Sequence, residues 1–130
     1  MSRLSYVDAS AIVKLVLHEP ETGPMVRWYV EADRVATSVL GVIETQRAVA
    51  RRGHDALHLR SVIAALVTLD LDRPIARLAS TIQPPSLRTL DAIHLATAML
   101  LGAELDAFVT YDDRLAAAAR DVGLPVVRPA

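Results

Sequence analysis

Short apolar segments that alternate with helix-like segments are the feature that most limits the fold of this chain. We predict strands over residues 4–8, 34–37, 68–71, 107–110 and 125–127. Short apolar strands separated by helices are typical of a parallel sheet that is covered on both faces. No linker, repeat or low-complexity tract divides the sequence. The predicted fold class is therefore α/β, as one domain over residues 1–130.

The predicted helices lie between these strands. Five of them span residues 9–18, 22–32, 55–67, 74–82 and 112–121. Another helix is capped by Ser38 and ends at Gly53, and an apolar helix runs from residue 87 or 89 to residue 101. On the second helix, Met25, Trp28 and Tyr29 form an apolar stripe. We expect this stripe to pack in the core or at an interface, where a groove for a partner helix is one alternative.

Composition excludes several classes of protein. The chain has no cysteine, which excludes a disulfide framework and a thiolate metal site and fits a reducing cytoplasm. Its apolar runs at residues 9–17 and 62–69 are too short to span a bilayer, and no signal peptide frames them. We therefore expect a cytoplasmic protein without a membrane partner. A net charge of −1 gives no argument for nucleic-acid binding.

Four carboxylates occupy positions from which they could converge. Asp8 ends the first strand, and Asp112 follows the strand that closes at Thr110. In parallel sheets, ligands bind beyond the carboxyl ends of the strands. Glu44 lies in the helix after the second strand, and Asp91 lies early in the most apolar helix, where an unpaired carboxylate is costly. Each acid alone could also be explained as a helix cap or by the helix dipole.

The ligand types indicate which ion such a cluster would bind. Four neighbouring carboxylates repel one another unless a cation neutralises them. His94 is more simply a buried histidine that a neighbour satisfies, so we leave it out of the ligand set. Oxygen-only ligation is preferred by Mg²⁺ or Mn²⁺ over Zn²⁺. Such an ion can activate water and screen a phosphodiester, which makes phosphodiester hydrolysis the leading hypothesis.

Four local sequences resemble the motifs of the PIN-domain family, in the family's order and across essentially the whole chain. They are YVDASA at residues 6–11, Thr37-Ser38 followed by Glu44, LDAIHLATA at 90–98 and FVTYDDRL at 108–115. The third and fourth segments are the most specific. Together the four resemble VapC toxins of bacterial toxin–antitoxin pairs.

The resemblance implies a central parallel sheet of order 3-2-1-4-5 flanked by helices. It also implies an Mg²⁺- or Mn²⁺-dependent endoribonuclease that is a homodimer and is neutralised by a cognate VapB-like antitoxin. Asp8, Glu44 and Asp91 match the family's first three acidic ligands. Asp112 matches the fourth, more variable one, and Asp113 beside it could share that role.

Two hydroxyl residues and three arginines are further candidates. Ser10 and Thr110 match small hydroxyl positions near the metal, although a helix cap and a strand-end turn explain them equally well. Arg47 and Arg51 share a helix face with Glu44, and Arg114 follows the last acids. These arginines either contact substrate phosphate or form surface ion pairs.

Two other functions compete with a nuclease. A catalytically silent PIN fold could serve as a nucleic-acid-binding or assembly module, but such a site has no reason to keep four mutually repelling acids. A phosphatase or receiver-type protein also places aspartates at strand ends. However, Ser10 stands where an Asp-x-Asp motif requires its second acid, Lys14 is the only lysine, and no glycine-rich phosphate loop is present.

Overall fold

The computed structural model describes residues 3–53 and 56–130. Its sheet is formed by β1 (Leu4–Val7), β2 (Arg34–Ser38), β3 (Val67–Leu69), β4 (Leu105–Val109) and β5 (Val126–Val127). The strands pair in parallel in the order β3-β2-β1-β4-β5. The predicted α/β class and the strand order 3-2-1-4-5 are therefore confirmed.

Helices connect the strands and cover the sheet. They are α1 (Ala9–Val16), α2 (Thr22–Glu31), α3 (Val39–Arg51), α4 (Ala56–Ala64), α5 (Arg73–Thr81), α6 (Thr89–Leu101) and α7 (Asp113–Asp121). Asp8, Ser38, Asp72 and Asp112 cap α1, α3, α5 and α7, because each side chain accepts a backbone N–H of the first turn. All four caps lie at the carboxyl end of a strand or within three residues of it, so each strand leads into its helix through a polar side chain.

Some predicted boundaries were wrong. The helix predicted over residues 55–67 ends at Ala64, and the following strand occupies Val67–Leu69 instead of 68–71. Leu66 explains the early end, because it is buried in the core and its N–H bonds the carbonyl of Ile63 in a closing turn. Asp55, the predicted first residue of that helix, lies outside the described residues. The fourth strand begins at Leu105, earlier than predicted, and the other ends differ slightly, as element ends commonly do.

Two apolar layers of the core lie on opposite faces of the sheet, and a smaller third cluster joins Leu17, Val49 and Leu59. Alternate residues of a strand point to opposite faces, so Val7 packs in one layer and Tyr6 in the other. Met25 is fully buried in the first layer, and Trp28 and Tyr29 pack against it. The core interpretation of that stripe is therefore confirmed. No helix in the described part of the chain has the length and apolar character needed to cross a membrane.

Candidate active site

Asp8 is a buried carboxylate at the carboxyl end of β1. It is 5% exposed. Its Oδ1 accepts hydrogen bonds from the Ser10 hydroxyl at 2.6 Å and the Ala11 N–H at 3.1 Å, and its Oδ2 accepts one from the Thr110 hydroxyl at 2.6 Å. Burial raises the pKa of Asp8 even though these donors favour the charged form. The side chain is therefore fixed in orientation, and among the described residues no Lys or Arg forms an ion pair with it.

The two predicted hydroxyl residues join the first and fourth strands at the site. Thr110 donates to Asp8 and accepts the Asp112 N–H at 3.0 Å. Ser10 donates to Asp8 and accepts the Tyr111 N–H at 2.8 Å. Each hydroxyl thus ties the Asp8 carboxylate to the backbone of the loop between β4 and α7. Their geometry is that of groups that orient Asp8.

Asp91 and Asp112 share an arginine that the sequence interpretation did not consider. Arg88 donates from Nε to Asp91 at 3.0 Å and from Nη2 to Asp112 at 2.8 Å. Asp91 is only 6% exposed, whereas the Arg88 side chain is 64% exposed. Burial raises the pKa of Asp91, although contact with Arg88 lowers it. The guanidinium is therefore the cation that lies between these two carboxylates.

Glu44 contacts His94 instead of another acid. The His94 Nε2 lies 2.6 Å from Oε1 of Glu44, and its Nδ1 lies 2.6 Å from the Tyr6 hydroxyl. His94 is 2% exposed. This confirms that His94 is a buried histidine satisfied by its neighbours. Burial raises the pKa of Tyr6 well above its usual value, and the charges of Asp8 and Glu44 raise it further.

A groove of about 640 Å³ runs along the face of α3 that carries Glu44. Arg47 and Arg51 lie on this face of α3, as predicted, and both line the groove. Both arginines are exposed. On the opposite wall the Lys14 ammonium lies 5.2 Å from the centre of the Tyr111 ring. The groove therefore presents cationic and aromatic side chains beside Glu44, and the sequence interpretation had assigned no role to Lys14 or Tyr111.

Asp113 and Arg114 lie farther from the other acids. The Asp113 side chain is 89% exposed and pairs with Arg128 at 2.7 Å. Arg114 is exposed, and its sequence neighbour Asp113 pairs with Arg128 instead. Asp112, in contrast, is joined to Asp91 through Arg88. The geometry favours Asp112 over Asp113 as the fourth acid.

Three of the four predicted acids are linked to one another, but the four do not yet form a site that encloses an ion. Within residues 3–53 and 56–130, no three Asp, Glu or His side chains are close enough to hold a metal ion as they stand. Asp8 is connected to Asp112 through Thr110, and Asp112 to Asp91 through an arginine. Glu44 is held apart from them by its bond to a histidine. Side-chain rearrangement, above all of the bridging arginine, is needed before one ion can contact several of them.

Comparison with known proteins agrees with this fold. The family model of the PIN domain matches residues 5–121. Ribonuclease VapC47 of Mycobacterium tuberculosis (strain CDC 1551 / Oshkosh) is 43% identical over 130 residues, which covers 95% of this chain and 96% of that protein. Two solved structures share the fold. They are Mycobacterium tuberculosis VapC20, a sarcin-ricin loop cleaving toxin (TM-score 0.74, 20% identity, 97% of this chain and 99% of that one), and a toxin-antitoxin complex from Klebsiella pneumoniae (TM-score 0.73, 23% identity, 97% and 98%). The chain belongs to the PIN-domain family.

Proposed function

We propose that this chain is a divalent-metal-dependent endoribonuclease that acts as a VapC-like toxin. The observation that carries the proposal is the pair of buried carboxylates, Asp8 and Asp91, which meet no buried cation in the described part of the chain. The raised pKa of each shows that burial opposes its negative charge. A bound cation would remove this penalty. The 43% identical relative, a ribonuclease, supports RNA as the substrate.

The donor set fits a hard divalent ion. Asp8, Glu44, Asp91 and Asp112 are the residues that would hold it, and all their donor atoms are carboxylate oxygens, which suit Mg²⁺ or Mn²⁺. Arg88 already places a positive charge between two of them. Because this arginine is largely exposed, it can leave the carboxylates for solvent or for a substrate phosphate.

When bound, the ion lowers the pKa of a water molecule and screens the charge of the phosphodiester. The chain's own residues position the reactants. Ser10 and Thr110 fix the orientation of the carboxylate at the end of β1. Arg47 and Arg51 line the adjacent groove, and we assign them to the phosphates on either side of the cleaved bond. Arg114, exposed beside the last acids, is a further phosphate contact in this proposal.

The proposal extends to partners. One solved structure of the same fold is a toxin-antitoxin complex, and on that basis we propose that a VapB-like antitoxin neutralises this chain. We further propose that it forms a homodimer and acts in the cytoplasm, where its RNA substrate is found. Co-expression with a candidate VapB-like antitoxin tests the first point, because a genuine antitoxin should co-purify with the chain and restore cell growth.

Cleavage of a labelled RNA with and without the ion tests the enzyme. We expect wild-type cleavage with Mg²⁺ or Mn²⁺, its loss in EDTA and its return when the ion is restored. Asp8→Asn and Asp91→Asn keep side-chain shape and remove charge, so cleavage should fall by roughly two orders of magnitude or more. Asp106→Asn is the matched control, because Asp106 is an exposed acid that pairs with Arg3. Undiminished cleavage by folded Asp8→Asn would contradict the proposal, and RNA binding without cleavage would favour the silent alternative.

A further inference from the structure

A buried chain of hydrogen bonds ends at the Glu44 carboxylate. The Ser38 N–H donates to the Tyr6 hydroxyl at 3.2 Å, that hydroxyl lies 2.6 Å from Nδ1 of His94, and Nε2 of His94 lies 2.6 Å from Oε1 of Glu44. The chain thus connects β2, β1, α6 and α3. The proposed chemistry assigns no task to its two central rings.

The positions of the protons give this series of hydrogen bonds its direction. Tyr6 is 0% exposed, and its oxygen meets one group that can only donate, the Ser38 N–H. The buried Thr37 hydroxyl lies close enough to lower the pKa of Tyr6, but it meets no hydrogen-bond geometry with a neighbour. Nδ1 of His94 is the nearest acceptor, at 2.6 Å, and we therefore assign the tyrosine proton to it. A neutral imidazole that accepts at Nδ1 carries its own proton on Nε2, where it meets the Glu44 carboxylate.

Packing holds both rings in place. The Tyr6 ring stacks on Phe108 with centroids 5.5 Å apart and meets the His94 ring edge-on at 5.8 Å. On the other side of His94, a Cβ on Gly41 would lie 3.2 Å from Cε1 of the imidazole, so α3 approaches the ring as closely as a glycine allows. Neither ring can turn without moving a neighbour.

We propose that Tyr6 and His94 are positioning residues that hold Glu44 ready for the cation. The inference rests on the proposed metal site and adds a function for the buried chain behind it. His94 engages Oε1, and in the described part of the structure no hydrogen bond reaches Oε2, which stays available to a ligand. A glutamate that is already fixed loses less conformational freedom when it binds an ion than a freely rotating one. Partners behind a ligand typically change metal affinity by 10–100-fold.

Tyr6→Phe tests this, with Tyr29→Phe as the matched control. Phe keeps the ring and removes the hydroxyl that fixes His94 and accepts the Ser38 N–H, whereas Tyr29 packs against the opposite core layer. Nitrogen NMR of the metal-free wild-type protein should show His94 with Nδ1 unprotonated and Nε2 protonated. In Tyr6→Phe this single-tautomer signature should be lost, and the Kd for Mn²⁺ measured by calorimetry should rise by about 10–100-fold. Tyr29→Phe should change neither.

A second pair of variants separates positioning from a general loss of packing. His94→Gln keeps an N–H near the position of Nε2, whereas His94→Asn does not reach it. We therefore expect His94→Gln to bind Mn²⁺ several-fold more tightly than His94→Asn. Equal affinities, a protonated Nδ1 in the wild-type protein, or an unchanged Mn²⁺ affinity in Tyr6→Phe would each overturn the inference. A wild-type protein that binds Mn²⁺ but cuts no RNA would overturn the ribonuclease proposal alone.

Discussion

Asp8 shows how one residue combines a structural and a chemical task. It caps α1, accepts three hydrogen bonds and is almost completely buried. An Asp whose pKa is raised in the folded state binds its proton more tightly there than in the unfolded chain. The folded protein therefore loses stability as pH rises from the ordinary pKa of about 4 through the raised value. Without a bound cation, the ionised Asp8 side chain therefore lowers the stability of the folded protein.

Asp8→Asn should therefore stabilise the metal-free protein at neutral pH. Asn is also a good helix cap, and it removes the buried charge. We expect its melting temperature in EDTA to equal or exceed that of the wild-type protein at pH 7.5, with the difference shrinking as pH falls towards 4. Thermal unfolding followed by circular dichroism at several pH values measures this. A variant that is less stable than the wild-type protein at pH 7.5, and equally so at pH 5, would contradict the role assigned to burial.

Arg88 competes with an added ion for two carboxylates, so Arg88→Gln should bind Mn²⁺ more tightly. Removing a nearby positive charge also removes its repulsion of the ion, and at an exposed position this amounts to roughly a several-fold gain in affinity. Calorimetry measures the gain. Arg3→Gln is the matched control, because Arg3 is an exposed arginine whose partner is Asp106, outside the acidic group. Weaker Mn²⁺ binding by Arg88→Gln would show that the arginine supports the ion instead of displacing it.

At the scale of elements, the close approach of α3 to α6 depends on Gly41. A Cβ there would collide with the Thr37 hydroxyl and press on His94. Gly41→Ala should destabilise the fold by about 1–3 kcal/mol, despite a gain in helix propensity of about 1 kcal/mol. It should also weaken Mn²⁺ binding, because the bond between His94 and Glu44 must shift. Chemical unfolding and calorimetry measure the two effects.

Gly23→Ala is the control for that substitution. Gly23 is also helical, and a Cβ there would make only an ordinary contact with Arg27 at 3.6 Å. It should be neutral or slightly stabilising and leave Mn²⁺ affinity unchanged. If both glycine variants behave alike, the crowding at Gly41 has no energetic consequence.

The elements were predictable from sequence because their signals are local. Strand composition, Ser38 as a cap and Gly102 as a helix end all act within a few residues, and Gly102 indeed has a positive φ of 58°. The side-chain pairs at the site were not predictable in this way. Arg88 reaches a partner 24 residues away, and His94 contacts Glu44 across 50 residues. The spacing of Arg88 to Asp91 was visible, but only the fold shows which acid completes the bridge.

At the scale of the molecule, the candidate site lies where three strand-to-helix connections meet the start of α6. These connections follow β1, β2 and β4, which are neighbours in the sheet but distant in sequence. Each contributes one carboxylate from its cap or its helix, namely Asp8, Glu44 and Asp112. An ion can contact all three carboxylates only when the sheet is assembled, so the free energy of ion binding adds to the stability of the fold.

Mg²⁺ or Mn²⁺ should therefore raise the thermal stability of the whole domain. An ion that binds only the folded state at 100 times its Kd adds about 2.7 kcal/mol, which for a chain of 130 residues corresponds to a rise in Tm on the order of 10 °C. Thermal unfolding across an ion titration measures the rise, and EDTA should reverse it. The double variant Asp8→Asn with Asp91→Asn should show little response. An equal rise in that variant would place the ion elsewhere on the protein, and no rise in the wild-type protein at millimolar ion would mean that substrate phosphate must complete the site.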